Sequence, residues 1–262
     1  MDTVHLEKLN ELHEVIERRT ISRFQEIADN AQTIDKTEIC ETTTFYIHDT
    51  SHWDTDYNSI VFDAHRGLHK TKKTTKQLIN KFARSKEANF MLMQAMGRQL
   101  EVKRCWPYVL GNVQFVPTSG ATYTSTNWIA VHHLKDAYQD VEDPKRLYLL
   151  FNEGMRLNVR IDLKHLERKL TTVRKYYDFQ VSLAKFLGKQ FTTEFVAPQA
   201  NSYLFTRIPK TAELPATEYQ NCREILIRIL FQVYKTMSPE DRIRLDDMES
   251  LYKDMLKERS ML

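Results

Sequence analysis

The residues with the clearest chemical character in this chain are the lysines and arginines at positions 64–86. This basic segment contains eight Lys or Arg residues and no Asp or Glu, although the whole chain has a formal net charge of only +3. Lysine-rich surface helices usually include acids, which form i,i+4 ion pairs. Uncompensated positive charge indicates a polyanionic partner. Nucleic acid is the first interpretation, and a solvated surface or an acidic protein partner are the alternatives.

Two further groups of residues could bind phosphate. Lys103 and Arg104 precede a predicted strand, and residues 118–126 form a loop rich in Thr and Ser. Hydroxyl groups at the edge of a sheet can donate to phosphate oxygens and fix the register of a protein on DNA. A polar hairpin loop is the alternative explanation of residues 118–126. The residues predicted to contact DNA are Arg66, Lys70, Lys72, Lys73, Lys76, Lys81, Arg84, Lys103, Arg104, Thr118 and Ser119.

Side chains that could support catalysis or bind a metal do not form a known pattern. His65 and His69 have the i,i+4 spacing that places two imidazoles on one face of a helix, as do His48 and His52. The sequence around them favours loops, so we expect no metal site. We expect His65 and His69 to add donors to the basic segment and to gain charge below about pH 6.5. Neither a nucleophile–base pattern around Cys105 nor a glycine-rich phosphate loop is present, so we expect no enzyme activity and no cofactor.

The composition is that of a folded intracellular protein. Hydrophobic residues make up 42% and charged residues 28% of the 262 positions, which is enough for a sizeable core. The three cysteines are odd in number and far apart, which argues against a disulfide framework and favours a reducing compartment. No apolar run approaches about 18 residues, and the N-terminus lacks the pattern of a signal peptide. We expect a cytoplasmic protein that does not contact a membrane.

Hydrophobic periodicity divides the chain into three regions. Residues 1–35 contain an amphipathic helix at 4–28, whose apolar face could pack on its own domain or on a second copy of the chain. Residues 36–170 form a strand-rich body, and residues 171–262 form a helical region. The predicted fold class is α+β: a small antiparallel β-sheet body with flanking N- and C-terminal helices.

Enrichment in β-branched and aromatic residues at 42–47, and alternation of apolar and polar residues at 156–161, are typical of the strands predicted in the body. These strands are 42–47, 113–116, 128–134, 147–151 and 156–161, the last two joined by a turn at 153–154. The apolar spacing of residues 78–82 predicts a short helix that begins near Thr74. We expect Trp128 to pack in the core rather than to stack on a base. Because His132 and His133 are neighbours on a predicted strand, at most one of them can face the core, and we expect His133 to be structural.

Helices are predicted at the C-terminal side from their capping residues. Asp162 can cap a helix that ends at Gly188. Residues 217–220 form a capping box for a second helix, and Ser238 caps a third. The third helix, like the helix at 4–28, has an apolar face that could form an oligomer interface.

The motifs of the body resemble those of one known family. A basic pair and Pro107 lead into FVPTS at 115–119, and WI at 128–129 is followed by a histidine-containing strand. A strand containing FYI at 45–47 precedes these motifs, and LLFNEG at 149–154 follows them. In this order they resemble the competence transcription factor ComK and its relatives, over residues 39–170. Between the first strand and Pro107 the chain departs from the family pattern and keeps only its basic character and a glycine.

The resemblance implies a DNA-binding transcriptional regulator of the competence-activator type. It implies binding to AT-rich boxes through the narrowed minor groove, assembly as a dimer or higher oligomer, and turnover through an adaptor-guided protease. A-tract minor grooves concentrate negative potential and attract Arg and Lys, which makes Arg66, Lys72, Lys73 and Arg104 the leading contacts. The alternative is a non-enzymatic interaction or scaffold protein whose basic segment docks RNA or an acidic protein partner.

Overall fold

The computed structural model of the chain describes residues 31–34, 36–86, 90–120, 125–190, 192, 194–196 and 202–210. The described residues have an α+β fold, in which two β-sheets and their helices share one hydrophobic core. The predicted fold class is therefore confirmed. The helices predicted at 4–28 and from residues 217 and 238 lie outside the described residues.

The larger sheet has seven strands, in the order β1-β4-β3-β2-β7-β6-β5. Its strands are β1 (Gln32–Thr33), β2 (Thr44–Asp49), β3 (Ser59–Asp63), β4 (Gly67–Thr71), β5 (Tyr108–Leu110), β6 (Val113–Pro117) and β7 (Trp128–Ala130). Strands β2–β4 and β5–β7 are two antiparallel meanders, and β2 pairs with β7 to join them. With seven strands, this sheet is larger than the predicted small sheet. It is also not purely antiparallel, because β1 pairs in parallel with β4.

The smaller sheet is a third antiparallel meander of three strands. Its strands are β8 (Leu134–Gln139), β9 (Leu147–Phe151) and β10 (Arg156–Val159). The prediction of one continuous strand over 128–134 is wrong, because a 3-10 turn at Val131–His133 separates β7 from β8. This turn is the point at which the chain leaves one sheet and enters the other. The predicted turn between β9 and β10 is confirmed as a 3-10 turn at Asn152–Gly154.

Four helices complete the described fold. They are α1 (Thr75–Ser85), α2 (Phe90–Gln99), α3 (Leu163–Gln190) and α4 (Tyr203–Arg207). The predicted short helix is α1, and its residues Leu78, Ile79 and Phe82 are buried as expected. Among the described helices, not one combines the length and the apolar character that crossing a membrane requires.

Helix α3 packs along the core and begins where the sequence predicts. The carboxylate of Asp162 accepts a hydrogen bond from the backbone N–H of His165 (2.7 Å), and Leu166 and Leu170 are fully buried. The predicted end at Gly188 is wrong, because α3 continues to Gln190. One glycine lowers helix stability by only about 1 kcal/mol, too little to end a helix held by its buried face. The predicted domain boundary at residue 170 falls inside α3.

Candidate nucleic-acid interface

The basic segment folds as a hairpin turn, an edge of the sheet and a helix. The turn between β3 and β4 is closed by Asp63, whose carboxylate accepts from the backbone N–H groups of His65 (3.1 Å) and Arg66 (3.0 Å). Gly67 follows with a positive φ of 72°, a conformation that glycine adopts without a steric cost. The segment then forms β4, a short loop at residues 72–74 and α1.

Arg66 is held in this turn by a buried carboxylate. Its Nη2 donates to Asp63 (3.0 Å) and to the carbonyl oxygen of Glu38 (2.8 Å). The hydroxyl groups of Thr43 and Thr44 also donate to Asp63, at 2.7 and 3.0 Å. Burial raises the pKa of Asp63, but these hydrogen bonds and the charge of Arg66 outweigh it and hold the pKa below its ordinary value. Arg66, one of the leading predicted contacts, therefore stabilises the hairpin turn.

Residues 37–41 run beside the basic segment and supply carboxylates to it. Lys81 forms an ion pair with Glu38, and Lys86 forms one with Glu41. The hydrogen bond and charge of Lys81 lower the pKa of Glu38. Lys73 donates to the carbonyl oxygen of Thr37 (3.3 Å). The inference that the segment lacks compensating acids is thus wrong for Lys81 and Lys86, as it is for Arg66 with Asp63, because the acids come from outside the segment.

The N-terminal end of α1 has a different environment. Lys72 and Lys76 are exposed, and the first turn of the helix contains no acidic residue. Thr74 and Gln77 form a capping box, in which each side chain accepts from the other residue's backbone N–H (3.2 and 2.9 Å). A helix N-terminus carries partial positive charge, so lysines at this position repel it and acids are normally favoured. An anion bound at this end of α1 would remove that repulsion.

Of the predicted hydroxyl loop, the described residues 125 and 126 contact Thr75 at the same end of α1. The hydroxyl group of Thr75 donates to the carbonyl oxygen of Thr126 (2.7 Å). The hydroxyl oxygen of Thr126 lies 2.6 Å from that of Ser119 and 3.4 Å from that of Thr118. These hydroxyl groups therefore bond to one another, as expected for a polar loop, and Ser119 is an exposed residue.

The remaining predicted contacts are spread over two places. Lys70 on β4 lies over the ring of Tyr57, with its Nζ 5.0 Å from the ring centroid. Arg84 is exposed in the last turn of α1. Lys103 and Arg104 are exposed in the turn before β5, and the nearby Trp106 faces a cleft bordered by α1. Trp106, two residues after Arg104, therefore lies near α1, whereas Lys70 lies on the sheet.

This cleft is a feature that sequence reasoning missed. It has a volume of about 280 Å³ and is lined by Lys76, Ile79, Asn80, Phe90, Gln94, Trp106 and Trp128. Trp128 is only 2% exposed, which confirms its predicted place in the core. Its ring packs edge-on against Phe90, with centroids 5.9 Å apart. A tryptophan two residues after a basic pair was the available signal for the cleft.

Two predictions about histidines are wrong. His69 is fully buried on β4, and burial together with the charge of Arg66 lowers its pKa to about 4, so it does not add a donor to the basic surface. His132 and His133 occupy the 3-10 turn instead of a strand. Both donate from Nε2 to the carbonyl oxygen of Glu41, at 2.8 and 2.9 Å. Both are therefore structural and hold residues 37–41 against the junction of the two sheets.

Metal-binding side chains do not converge in the part of the chain that the structure describes: it contains no group of three or more His, Cys, Asp or Glu residues suited to an ion. Comparison with known proteins adds no identification, since no family model, no curated protein and no solved structure matches the chain.

Proposed function

We propose that this protein binds double-stranded DNA through the N-terminal end of α1 and the segments beside it, and regulates transcription. The contact surface consists of Lys72, Lys73 and Lys76, the exposed hydroxyl of Ser119, and the turn of Lys103 and Arg104. In this proposal the protein acts in the cytoplasm without a cofactor and performs no catalysis. Arg66, Lys81 and Lys86 serve mainly to build the surface.

The observation that carries the proposal is the placement of lysines at a helix N-terminus without an acid in the first turn. The end of a helix dipole and the adjacent ammonium groups attract the same kind of ligand, an anion such as phosphate. Exposed cations on two neighbouring segments, α1 and the turn before β5, can follow a phosphate backbone. Phosphate contacts of this kind provide affinity and register rather than sequence reading.

The resemblance to ComK supports duplex DNA as the polyanion and AT-rich boxes as the preferred sequence. Narrow A-tract minor grooves attract Lys and Arg without a recognition helix in the major groove. Minor-groove readout distinguishes A·T from G·C pairs but not A·T from T·A, so selectivity requires that two boxes be engaged at once. We therefore include at least a dimer, activation of transcription and adaptor-guided proteolysis in the proposal.

A second candidate is an interaction protein that docks RNA or an acidic protein. The ion pairs of Lys81 with Glu38 and of Lys86 with Glu41 favour it, because they show that this basic segment accepts protein carboxylates. Tighter binding to duplex DNA than to RNA would distinguish the proposed DNA-binding function from this second candidate.

A gel-shift titration with three probes of equal length tests the proposal: a duplex with two AT-rich boxes, a GC-rich duplex and a single-stranded RNA. We expect the tightest binding to the AT-rich duplex and a linear fall of log K with log salt concentration. Equal or tighter binding of the RNA would support the second candidate, and no binding to any probe at low salt would overturn both nucleic-acid readings. Light scattering on the same samples should show a dimer or larger species.

A further inference from the structure

The aromatic cleft beside α1 has the composition of a small-molecule site. Ligand sites in proteins are concave and mostly apolar, with a few polar groups that orient the ligand. Here Phe90, Trp106 and Trp128 supply aromatic surface, and the amides of Asn80 and Gln94 supply donors and acceptors. The volume of about 280 Å³ lies at the lower end of the usual range, which suits a ligand with on the order of a dozen non-hydrogen atoms.

The walls of the cleft are fixed before any ligand arrives. The indole N–H of Trp106 donates to the carbonyl oxygen of Val102 (2.9 Å), which orients the ring. Gly97 of α2 lies directly against this ring: a Cβ atom at Gly97 would be 3.0 Å from Cδ1 of Trp106 and 2.3 Å from the Tyr176 hydroxyl. The same hydroxyl donates to the carbonyl oxygen of Met93 (3.0 Å), so α3 locks α2 in place. A preformed site loses less conformational entropy on binding.

Trp128, which lines the cleft, carries a donor that lacks an acceptor. Its indole N–H is buried and has no hydrogen-bond partner among the described residues. Buried donors are normally satisfied by protein or by a bound molecule. This N–H is enclosed within the wall of the cleft.

The charge at the cleft defines the class of ligand. Lys76 lies on its wall at the N-terminal end of α1, and no carboxylate is among the described residues that line it. The flat faces of the tryptophan rings favour a planar aromatic ligand, and the ammonium group of Lys76 favours an anionic one. We propose that this cleft binds a small planar aromatic or heteroaromatic molecule that carries a carboxylate or a similar anionic group. Because Lys76 also belongs to the proposed DNA surface, such a ligand competes with phosphate there, and this last point rests on the proposed function.

Nuclear magnetic resonance of the ¹⁵N-labelled full chain tests the site without DNA, so its failure is distinguishable from failure of the proposed function. The chain has three tryptophans, and their indole N–H signals report on Trp53, Trp106 and Trp128 separately. We expect titration with 2-naphthoate to shift the signals of Trp106 and Trp128 in a saturable way and to leave that of Trp53, which does not line the cleft, in place. Uniform shifts, or shifts that do not saturate, would overturn the proposal.

The charge requirement is tested with a matched neutral ligand, 2-naphthamide. We expect the acid to bind about tenfold more tightly than the amide at low salt, and Lys76→Gln to remove this difference. Lys81→Gln, on the same helix but not among the described residues that line the cleft, is the control and should keep the difference. If both variants have the same effect, the charge assignment fails. Asn80→Phe and Gln94→Phe each fill the cleft and should abolish binding of both ligands. Either variant that melts like the parent and still binds would refute the location.

Discussion

The lysines at the two ends of α1 have different electrostatic surroundings. At the C-terminal end, Lys81 and Lys86 meet Glu38 and Glu41 from a segment more than forty residues earlier. At the N-terminal end, exposed lysines add to the positive end of the helix dipole. A run of basic residues that looks uniform in sequence is therefore two structural populations. One forms ion pairs with acids of the protein, and the other lies at the positive end of the helix, where we propose that phosphate binds.

The largest expected effect is a loss of stability on removal of the buried carboxylate of Asp63, compared with removal of an exposed one. Asp63→Ala leaves Arg66, two threonine hydroxyls and two backbone N–H groups without their shared acceptor, and should cost about 3–5 kcal/mol of unfolding free energy. Urea unfolding monitored by circular dichroism measures the change. Glu38→Ala, which breaks an exposed pair with Lys81, is the control and should change stability far less. Equal stability of the two variants would mean that Asp63 does not organise the turn.

The free energy of unfolding should also fall in mild acid, because the protein contains buried histidines. Burial lowers the pKa values of His48, His69 and His133 to about 4 in the folded protein. The unfolded chain binds protons first as the pH falls from 6.5, so full stability is present above about pH 6.5 and is lost toward pH 4. The loss by pH 5 should be on the order of 2–5 kcal/mol.

Unfolding measured at pH 7, 6 and 5 checks this dependence. His69→Leu replaces the imidazole by a side chain of similar volume. It should reduce the slope of unfolding free energy against pH by an amount that corresponds to about one bound proton. His65→Gln, at an exposed position of the turn between β3 and β4, is the control substitution. A pH-independent stability between 7 and 5 would contradict the burial of these imidazoles.

Two triple variants with the same change of charge compare the ends of α1 in DNA binding. Lys72→Gln, Lys73→Gln and Lys76→Gln together should flatten the plot of log K against log salt by roughly 2–3 units, at about 0.9 per lost phosphate contact. Lys81→Gln, Arg84→Gln and Lys86→Gln together should flatten it by less than about one unit, because two of these residues are already paired. Fluorescence anisotropy at several salt concentrations gives both slopes. Equal slopes would remove the distinction between the two ends.

The smallest expected effect runs in the opposite direction. Glu38→Gln with Glu41→Gln frees Lys81 and Lys86 and removes two negative charges beside the proposed DNA surface. DNA affinity should rise a few-fold and the salt slope should steepen by about 1–2 units. Asp140→Asn with Asp143→Asn changes the net charge equally on the loop after β8, in the other sheet, and is the matched control. A similar gain in both variants would mean that only net charge matters.

Local signals in the sequence predicted much of the fold. The alternation in 156–161 gave β10, and the apolar spacing of 78–82 gave α1. Asp162 marked the start of α3 because a capping carboxylate acts on the next few backbone N–H groups. Each of these features depends on residues within one or two turns of chain, which is the range over which a sequence pattern carries structural information.

The candidate site depended more on distant residues and was predicted less well. The pairing of Lys81 with Glu38 spans 43 residues and leaves no local pattern. On β4, His69 is buried whereas Leu68 is only half-buried, the reverse of what hydrophobicity favours, because strand alternation and pairing with β3 decide the faces. The cleft needs α1, α2 and the Trp106 turn together, so no single segment could reveal it.

The pairing of β2 with β7 has a consequence for how the protein is made. The first meander is complete once β4 has been synthesised, but the second edge of β2 has to wait for β7, which begins about 60 residues after β4 ends. At ribosomal speeds of about 5–20 residues per second, this interval lasts roughly 3–12 s. During that time an apolar strand edge is open to pairing with another nascent chain. Slower elongation between β4 and β7 therefore lengthens the exposure of this edge.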